Sequence, residues 1–232
     1  MKSYFIHLIR HGITEGNLLG QYVGSTDSPL APQGIIHLNE LKKEQKYPTA
    51  QVYYSSPLSR CVQTLQVLYP DAKPILIDDL RECDFGDWEG KTAKELEQDE
   101  VFLQWMENME QVSPPNGEGS RAFTYRVCAA FEKLVEELMR SGTSSAVVVT
   151  HGGVIMTLLA AYGLPRARFY DWMTENGHGY TLRITPGLWM RSMVAEVEET
   201  IPPRSEEQRR EHTVVDLARE AADRVYGSFG EE

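Results

Sequence analysis

Two histidines stand at the ends of short apolar runs, the position at which open α/β sheets bind their ligands. His11 follows a run that ends at Ile9, and His151 follows a run that ends at Val149. Each is followed by a glycine, which lets a backbone approach a ligand closely. A lone histidine at a strand end is more often a structural hydrogen-bonding group. Two with the same surroundings favour a shared functional site at one edge of the sheet.

Two arginines accompany these histidines. Arg10 directly precedes His11, and Arg60 opens the helix expected after another strand. Guanidinium groups bind phosphate oxygens two at a time, and their charge disfavours protonation of a nearby imidazole. A phosphate monoester carries about two negative charges near neutral pH, so its attack requires a neutral nucleophile with the charge held elsewhere. The competing interpretation of each arginine is a surface salt bridge.

Alternating strands and helices must bring these groups together. Apolar runs predict strands at 4–9, 51–54, 74–77, 146–149 and 180–184, and a hairpin that returns through a strand at 188–194. Amphipathic or acidic segments predict helices ending near 44, opening at 57–60, and spanning 92–110, 121–140, 154–162 and a C-terminal segment from 205. The pattern predicts an α/β fold, a three-layer sandwich with a mostly parallel central sheet. The strand ends that precede His11 and His151 then lie at one edge.

Composition limits the classes of partner. The chain has 232 residues, 41% hydrophobic and 25% charged, with 23 Lys and Arg against 34 Asp and Glu, a net charge of -11. Nonspecific binding to nucleic acid or to an anionic membrane requires basic surface, so we expect neither partner. An anionic substrate must therefore be attracted by a local basic pocket.

Cysteine usage and the first residues predict where the protein resides. The three cysteines are odd in number and widely spaced, which favours reduced thiols over disulfides or a zinc site. The first apolar run is interrupted by His7 and is too short for a signal peptide or a membrane span. We expect a cytoplasmic protein, monomeric or homodimeric.

Four motifs in this order resemble the histidine phosphatase superfamily, which includes phosphoglycerate mutases and many metabolite phosphatases. They are Arg10-His11-Gly12 with Thr14 and Asn17, Ser55-Ser56-Pro57-Leu58-Ser59-Arg60, Glu82 with Gly86-Asp87-Trp88-Glu89-Gly90, and Thr150-His151-Gly152-Gly153. The resemblance covers roughly residues 4–195. It implies a phosphoglycerate mutase-like domain at 1–200 with a lid around 90–120, and leaves 201–232 as a C-terminal helical extension.

The resemblance also implies roles for these residues. His11 attacks phosphorus, Arg10 and Arg60 hold the phosphoryl oxygens, and His151 donates to the phosphoryl group as charge builds. Glu82 protonates the departing alcohol and then activates water; its competitor is Asp84, which does not match the motif position. Neither a metal nor another cofactor is implied, because the arginines take the role of a metal.

Other residues receive less specific assignments. Asn17 either hydrogen-bonds the phosphate or orders its loop, Gly152 brings backbone to the phosphate, and Tyr22 either lines the substrate mouth or packs in the core. An extra Gly119 departs from the Gly-Glu-Ser of many family members. A role for Glu118 or Ser120 is therefore open, a helix N-cap at Ser120 being the alternative.

Three functions remain in competition. The first is a histidine acid phosphatase-type phosphomonoesterase acting on a small phosphorylated metabolite, and the segment from Glu82 to Gly90 resembles the branch of α-ribazole and broad-specificity phosphatases. The second is a cofactor-dependent phosphoglycerate mutase, disfavoured because the longer Tyr- and Lys-bearing segment of family mutases is missing after Glu82. The third is a non-catalytic module that binds a phospho-ligand.

Overall fold

The protein is described by a computed structural model over residues 2–44 and 47–203. The strands are β1 (Tyr4–Arg10), β2 (Val52–Ser55), β3 (Ile75–Leu76), β4 (Ser145–Thr150), β5 (Gly163–Leu164), β6 (Gly179–Ile184) and β7 (Ala195–Ile201). They form one sheet in the order β3-β2-β4-β1-β6-β7-β5. Pairs among β1 to β4 are parallel, as are β5 and β7, whereas β6 opposes both of its neighbours. The predicted mostly parallel α/β sheet is confirmed.

Helices cover both faces of the sheet. They are α1 (Glu15–Leu18), α2 (Pro32–Glu44), α3 (Ser59–Leu68), α4 (Glu100–Glu107), α5 (Ser120–Ser141), α6 (Gly152–Tyr162) and α7 (Pro186–Ser192). Short 3₁₀ turns add Asp78–Leu80, Gly86–Trp88 and Phe169–Trp172. In the described residues, no helix is both long and apolar enough to cross a bilayer.

Side-chain alternation in the central strands divides the core into two layers. Ile6, Leu8 and Val148 are buried in a cluster with residues of α5 and α6. Ile9 and Val147 are buried in a second cluster with residues of α2 and α3. Because successive side chains of a strand point to opposite faces, β1 and β4 are apolar on both sides and carry helices on each. This is the predicted three-layer sandwich.

The predicted strand at 188–194 is wrong, because this segment lies largely in α7. Pro186 occupies the first turn of that helix, where its fixed φ and missing N–H cost nothing. The hairpin partner of β6 is instead β7, with Arg183 opposite Glu196. The hairpin is therefore real, but its connection contains a helix instead of a tight turn.

The acidic segment predicted to be helical throughout 92–110 is helical only in α4. Asp99 begins that helix by accepting hydrogen bonds from the N–H groups of Val101 and Phe102. Its second oxygen accepts from the Trp88 indole at 3.1 Å, which fixes the helix start. Phe102 is 3% exposed and packs with Trp88 in a small cluster of its own. Part of the segment 90–120 thus packs with Trp88 in a small core separate from the sheet, and its assignment as a lid stays a prediction.

The predicted C-terminal helical extension, 201–232, lies outside the described residues except for its first three positions. Strand β7 reaches Ile201, which is 1% exposed in the sheet core. The division into a 1–200 domain and an extension stays a prediction.

Candidate active site

His11 lies immediately beyond β1, held by a hydrogen bond from its N–H to the Thr150 carbonyl at 2.9 Å. The residue is 5% exposed. Its Nδ1 is 2.7 Å from the Gly12 carbonyl oxygen, which can only accept, so Nδ1 carries the proton and Nε2 keeps its lone pair. Burial, and then the charges of Arg60 and Arg10, hold the pKa of His11 well below its usual value. The imidazole is therefore neutral, with a nucleophilic nitrogen.

His151 follows β4, the parallel neighbour of β1, and its ring centroid is 5.2 Å from that of His11. The Arg60 Nε–H donates to its Nδ1 at 3.3 Å, so the proton is on Nε2, which donates to the Ser56 hydroxyl at 2.8 Å. Burial and the charge of Arg60 lower its pKa well below the usual value. The structure thus brings the two histidines together, with the Nε2–H of His151 given to Ser56.

Arg60 is completely buried in the first turn of α3. Its two terminal nitrogens donate to the Thr26 carbonyl at 2.8 Å and the Gly24 carbonyl at 2.6 Å. A side chain at Gly24 would lie 1.7 Å from the Cys83 carbonyl oxygen, so only glycine lets this loop approach. A guanidinium has five N–H groups, and Arg60 makes three such bonds counting the one to His151, which leaves donors for a ligand.

Arg10 ends β1 and donates through Nη1 to the Thr174 carbonyl at 2.6 Å. Its Nε is buried and has no hydrogen-bond partner among the described residues. An orphaned buried donor is costly, and an anion bound beside it would remove that cost. Gly152 adjoins this group, since a Cβ there would be 3.3 Å from Arg10 Nε. The arrangement fits an oxyanion between Arg10 and the first turn of α6.

Glu82 follows the 3₁₀ turn after β3 and reaches the same α6 end. Its Oε2 accepts from the Gly153 N–H at 2.9 Å, and its Oε1 accepts from the Cys83 N–H at 3.0 Å. Burial raises the pKa of Glu82 above its usual value, although both N–H groups and the two arginines act in the opposite direction. A carboxyl group that retains its proton toward higher pH is suited to act as a general acid.

Gly153 offers a direct test of this contact, because a Cβ at that position would lie 2.4 Å from Glu82 Oε1. We expect Gly153→Ala to displace the carboxyl group and to lower kcat/KM for alkyl phosphates by about 10²-fold, the cost of a misplacement of about 1 Å. Inside a helix, alanine is more stable than glycine by about 0.5–1 kcal/mol. Helix propensity should therefore not lower the thermal unfolding midpoint of this variant. Unchanged kcat/KM in a steady-state phosphate-release assay would contradict the placement of Glu82.

Asn17, in α1, and Tyr22, beyond it, lie on the segment that follows His11. Asn17 Oδ1 accepts from the Thr14 N–H at 3.1 Å and the Asn176 amide at 3.3 Å, so this oxygen ties the segment after His11 to the loop before β6. Tyr22 packs edge-on against Phe85, with ring centroids 5.3 Å apart, and lies against the small cluster that contains Trp88 and Phe102.

Two further contacts, one at His11 and one at Gly12, were not predicted from the sequence. The Asn176 amide donates to the His11 carbonyl at 3.0 Å. The Thr64 hydroxyl accepts from the Gly12 N–H at 2.8 Å. The Asn176-Gly177 pair is a turn signal directly before a strand, and it could have been recognised as a loop. Its arrival at this site depends on β6 opposing β1, which no local pattern indicates.

A cleft of about 260 Å³ opens beside Glu82. Its lining includes Ser25, Arg81, Glu82, Asp84, Glu118 and Arg126.

Ser120 begins α5 instead of capping it, since the N-cap is Gly119. Within the described parts of the chain, no group of three or more His, Cys, Asp or Glu side chains is arranged to hold a metal ion.

Known proteins are similar to this chain over most of its length. The family model described as histidine phosphatase superfamily (branch 1) matches residues 6–196. The adenosylcobalamin/alpha-ribazole phosphatase of Salmonella typhimurium is 30% identical over 186 residues, 78% of this chain and 90% of that protein. The putative phosphoserine phosphatase 2 of Hydrogenobacter thermophilus is 32% identical over 167 residues, 68% and 80% of the two chains. The crystal structure of a putative alpha-ribazole-5'-P phosphatase from Escherichia coli superposes with a TM-score of 0.70 at 26% identity, covering 84% of this chain and 94% of that one.

Proposed function

Because the chain belongs to branch 1 of the histidine phosphatase superfamily, we propose that it hydrolyses a small phosphorylated metabolite through a phosphohistidine on His11. The observation that carries the proposal is the state of that imidazole. The hydrogen bond from Nδ1 to the Gly12 carbonyl leaves the lone pair on Nε2. Burial, and then the charges of Arg60 and Arg10, lower the pKa of the His11 ring. A neutral nucleophile beside two guanidiniums matches the charge of a phosphate monoester.

The first half-reaction forms the phosphoenzyme. The His11 Nε2 lone pair attacks phosphorus, and the bond from phosphorus to the alcohol oxygen breaks. Glu82 gives its proton to that oxygen, so the leaving group departs as a neutral alcohol. Arg10 and Arg60 hold the phosphoryl oxygens, with the unpaired Arg10 Nε among the donors.

The second half-reaction regenerates the enzyme. Glu82, now a carboxylate, takes a proton from water as the water oxygen attacks phosphorus. The bond from phosphorus to Nε2 breaks, its electron pair returns to the imidazole, and phosphate leaves. In both steps His151 would donate its Nε2–H to a phosphoryl oxygen in place of Ser56, while Asn17 and Gly152 would add phosphate contacts and Tyr22 would line the mouth.

The acid phosphatase type belongs to the same proposal. The lowered pKa of His11 keeps the nucleophile neutral under acidic conditions, and the raised pKa of Glu82 keeps the general acid protonated. Both pKa shifts favour activity on the acid side of neutrality.

A cytoplasmic setting suits the free thiols of Cys61, Cys83 and Cys128.

A paired assay tests the proposal against its alternatives. The purified protein is incubated with p-nitrophenyl phosphate and, separately, with 3-phosphoglycerate plus a trace of the bisphosphate. We expect phosphate release without isomerisation. Isomerisation would support a mutase, and silence in both assays would support a binding module.

The substrate is then sought in a panel of phosphorylated metabolites at equal concentration. The panel includes α-ribazole 5'-phosphate and phosphoserine, taken from the names of the relatives. The compound with the highest kcat/KM for phosphate release identifies the substrate class.

A further inference from the structure

Arg126 is a half-buried arginine of α5 that no motif includes. Its guanidinium forms a two-point ion pair with Glu118, from Nε to Oε1 at 2.9 Å and from Nη2 to Oε2 at 2.6 Å. The two side chains are 17% and 18% exposed, so solvent screens the pair only in part. The guanidinium carbon also lies 5.1 Å from the centre of the Phe123 ring, which further limits its rotation.

The other donors of Arg126 reach the backbone that leads to Glu82. Nη1 donates to the Asp79 carbonyl at 2.9 Å and to the Arg81 carbonyl at 2.8 Å. Nη2 also donates to the carbonyl of Glu82 itself at 3.3 Å. With the Glu118 pair, these bonds occupy all five N–H groups of a guanidinium. Arg126 therefore has no donor left for a substrate, although it lines the cleft.

Glu118 holds the far side of the same segment. Its N–H donates to the Asp84 carbonyl at 2.8 Å, and its carbonyl lies 3.6 Å from the Cys83 Sγ. The backbone of Glu82 is thus fixed from before and after by one ion-paired unit. A single side chain of α5 thus binds the carbonyls of three nearby residues in the segment that leads to Glu82.

We propose that Arg126 and Glu118 form a positioning unit that holds the Glu82 carboxyl group at the leaving-group oxygen. The inference rests on the proposed function, in which Glu82 is the general acid. Proton transfer requires a heavy-atom distance of about 2.6–3.2 Å, and the Glu82 side chain can meet it only if its backbone is fixed. Lysine cannot replace this arginine, because an ammonium group is a point charge without the planar fork.

The test compares leaving groups within each variant. Arg126→Gln, Arg126→Lys and Glu118→Gln are assayed for kcat/KM with an alkyl phosphate and with 2,4-dinitrophenyl phosphate, whose leaving group needs no proton. We expect a loss of about 10–10²-fold for the alkyl ester and less than about threefold for the aryl ester. The ratio of the two rates is independent of how much of a preparation is folded. Arg121→Gln, which changes an exposed arginine of the same helix, should leave both rates unchanged.

A double-mutant cycle separates positioning from simple stabilisation of the fold. If Arg126 acts through Glu82, adding Arg126→Gln to Glu82→Gln should cost the alkyl ester less than about threefold more. Equal losses for both esters, or a full additional loss in the Glu82→Gln background, would overturn the inference while leaving the proposed function intact. Absence of turnover by the wild-type protein with either ester would overturn both.

Discussion

Replacing His11 with alanine should abolish turnover, with a loss of at least about 10⁴-fold in kcat/KM, because removal of a covalent nucleophile eliminates the reaction path itself. Alanine leaves Arg10 and Arg60 in place, so phosphate binding should persist while chemistry stops. Rapid acid and alkaline quench of single turnovers with radiolabelled substrate measures the intermediate. The wild-type protein should yield an acid-labile, alkali-stable phosphoenzyme, and His11→Ala should yield none.

The matched control for this variant is His37→Ala. His37 lies on α2 and its ring is 6.4 Å from that of His178, outside the proposed chemistry. It should retain turnover and the phosphoenzyme. Near-normal turnover by His11→Ala, or a phosphoenzyme formed on it in normal yield, would show that another residue is the nucleophile.

The proximity of the two histidines was predictable because it depends only on the pairing of strand β1 with strand β4. In a parallel pair, residues in register end their strands together, and Arg10 is indeed opposite Thr150. His11 and His151 follow those two residues. The apolar runs identified both strands, and general topology placed their ends at one edge. Nothing more was needed to bring the imidazoles together.

Contacts that depend on an opposed strand were not predictable in this way. The loop before β6 brings Thr174 and Asn176 to Arg10 and His11 only because β6 runs antiparallel to β1. The sequence of β6 alternates apolar and polar side chains, and this alternation does not say which way the strand runs beside β1, so its orientation is set by the whole sheet. Local periodicity carries no information about it.

Arg126 shows a second reason why part of the site could not be predicted from the sequence. It lies on the amphipathic helix that periodicity predicted well, and its polar type is what the outer face of such a helix requires. Its function is visible only in carbonyls that are 44 to 47 positions away along the chain. The protonation state of His151 is similar, since it depends on the positions of Arg60 and Ser56. Hydrogen bonds between residues that are far apart along the chain depend on the three-dimensional structure and have no signal in the local sequence.

Replacing Glu82 with glutamine should slow the reaction according to the leaving group. An alkyl phosphate needs a proton on the departing oxygen, so kcat/KM should fall about 10²–10⁴-fold. For 2,4-dinitrophenyl phosphate the loss should be below about tenfold. Because kcat/KM includes only steps through the first irreversible one, here formation of the phosphohistidine, the later role of Glu82 as a base does not enter. Asp84→Asn changes the rival carboxylate, which accepts from the Gly86 N–H at 2.8 Å, and should lower both rates by the same small factor.

The pH dependence of kcat/KM tests the role of Glu82 independently. Burial raises the pKa of Glu82, and the acid must be protonated to act, so kcat/KM for an alkyl phosphate should fall as pH rises through that raised pKa. Of the two enzyme groups, only His11 should lower the rate at low pH, where it becomes protonated, and its pKa is held well below the usual value. Glutamine cannot titrate, so Glu82→Gln should lose the alkaline decline that belongs to the enzyme and keep the acidic one. An alkaline decline of the same midpoint and size in Glu82→Gln, or a leaving-group-dependent loss in Asp84→Asn, would assign the proton to another group.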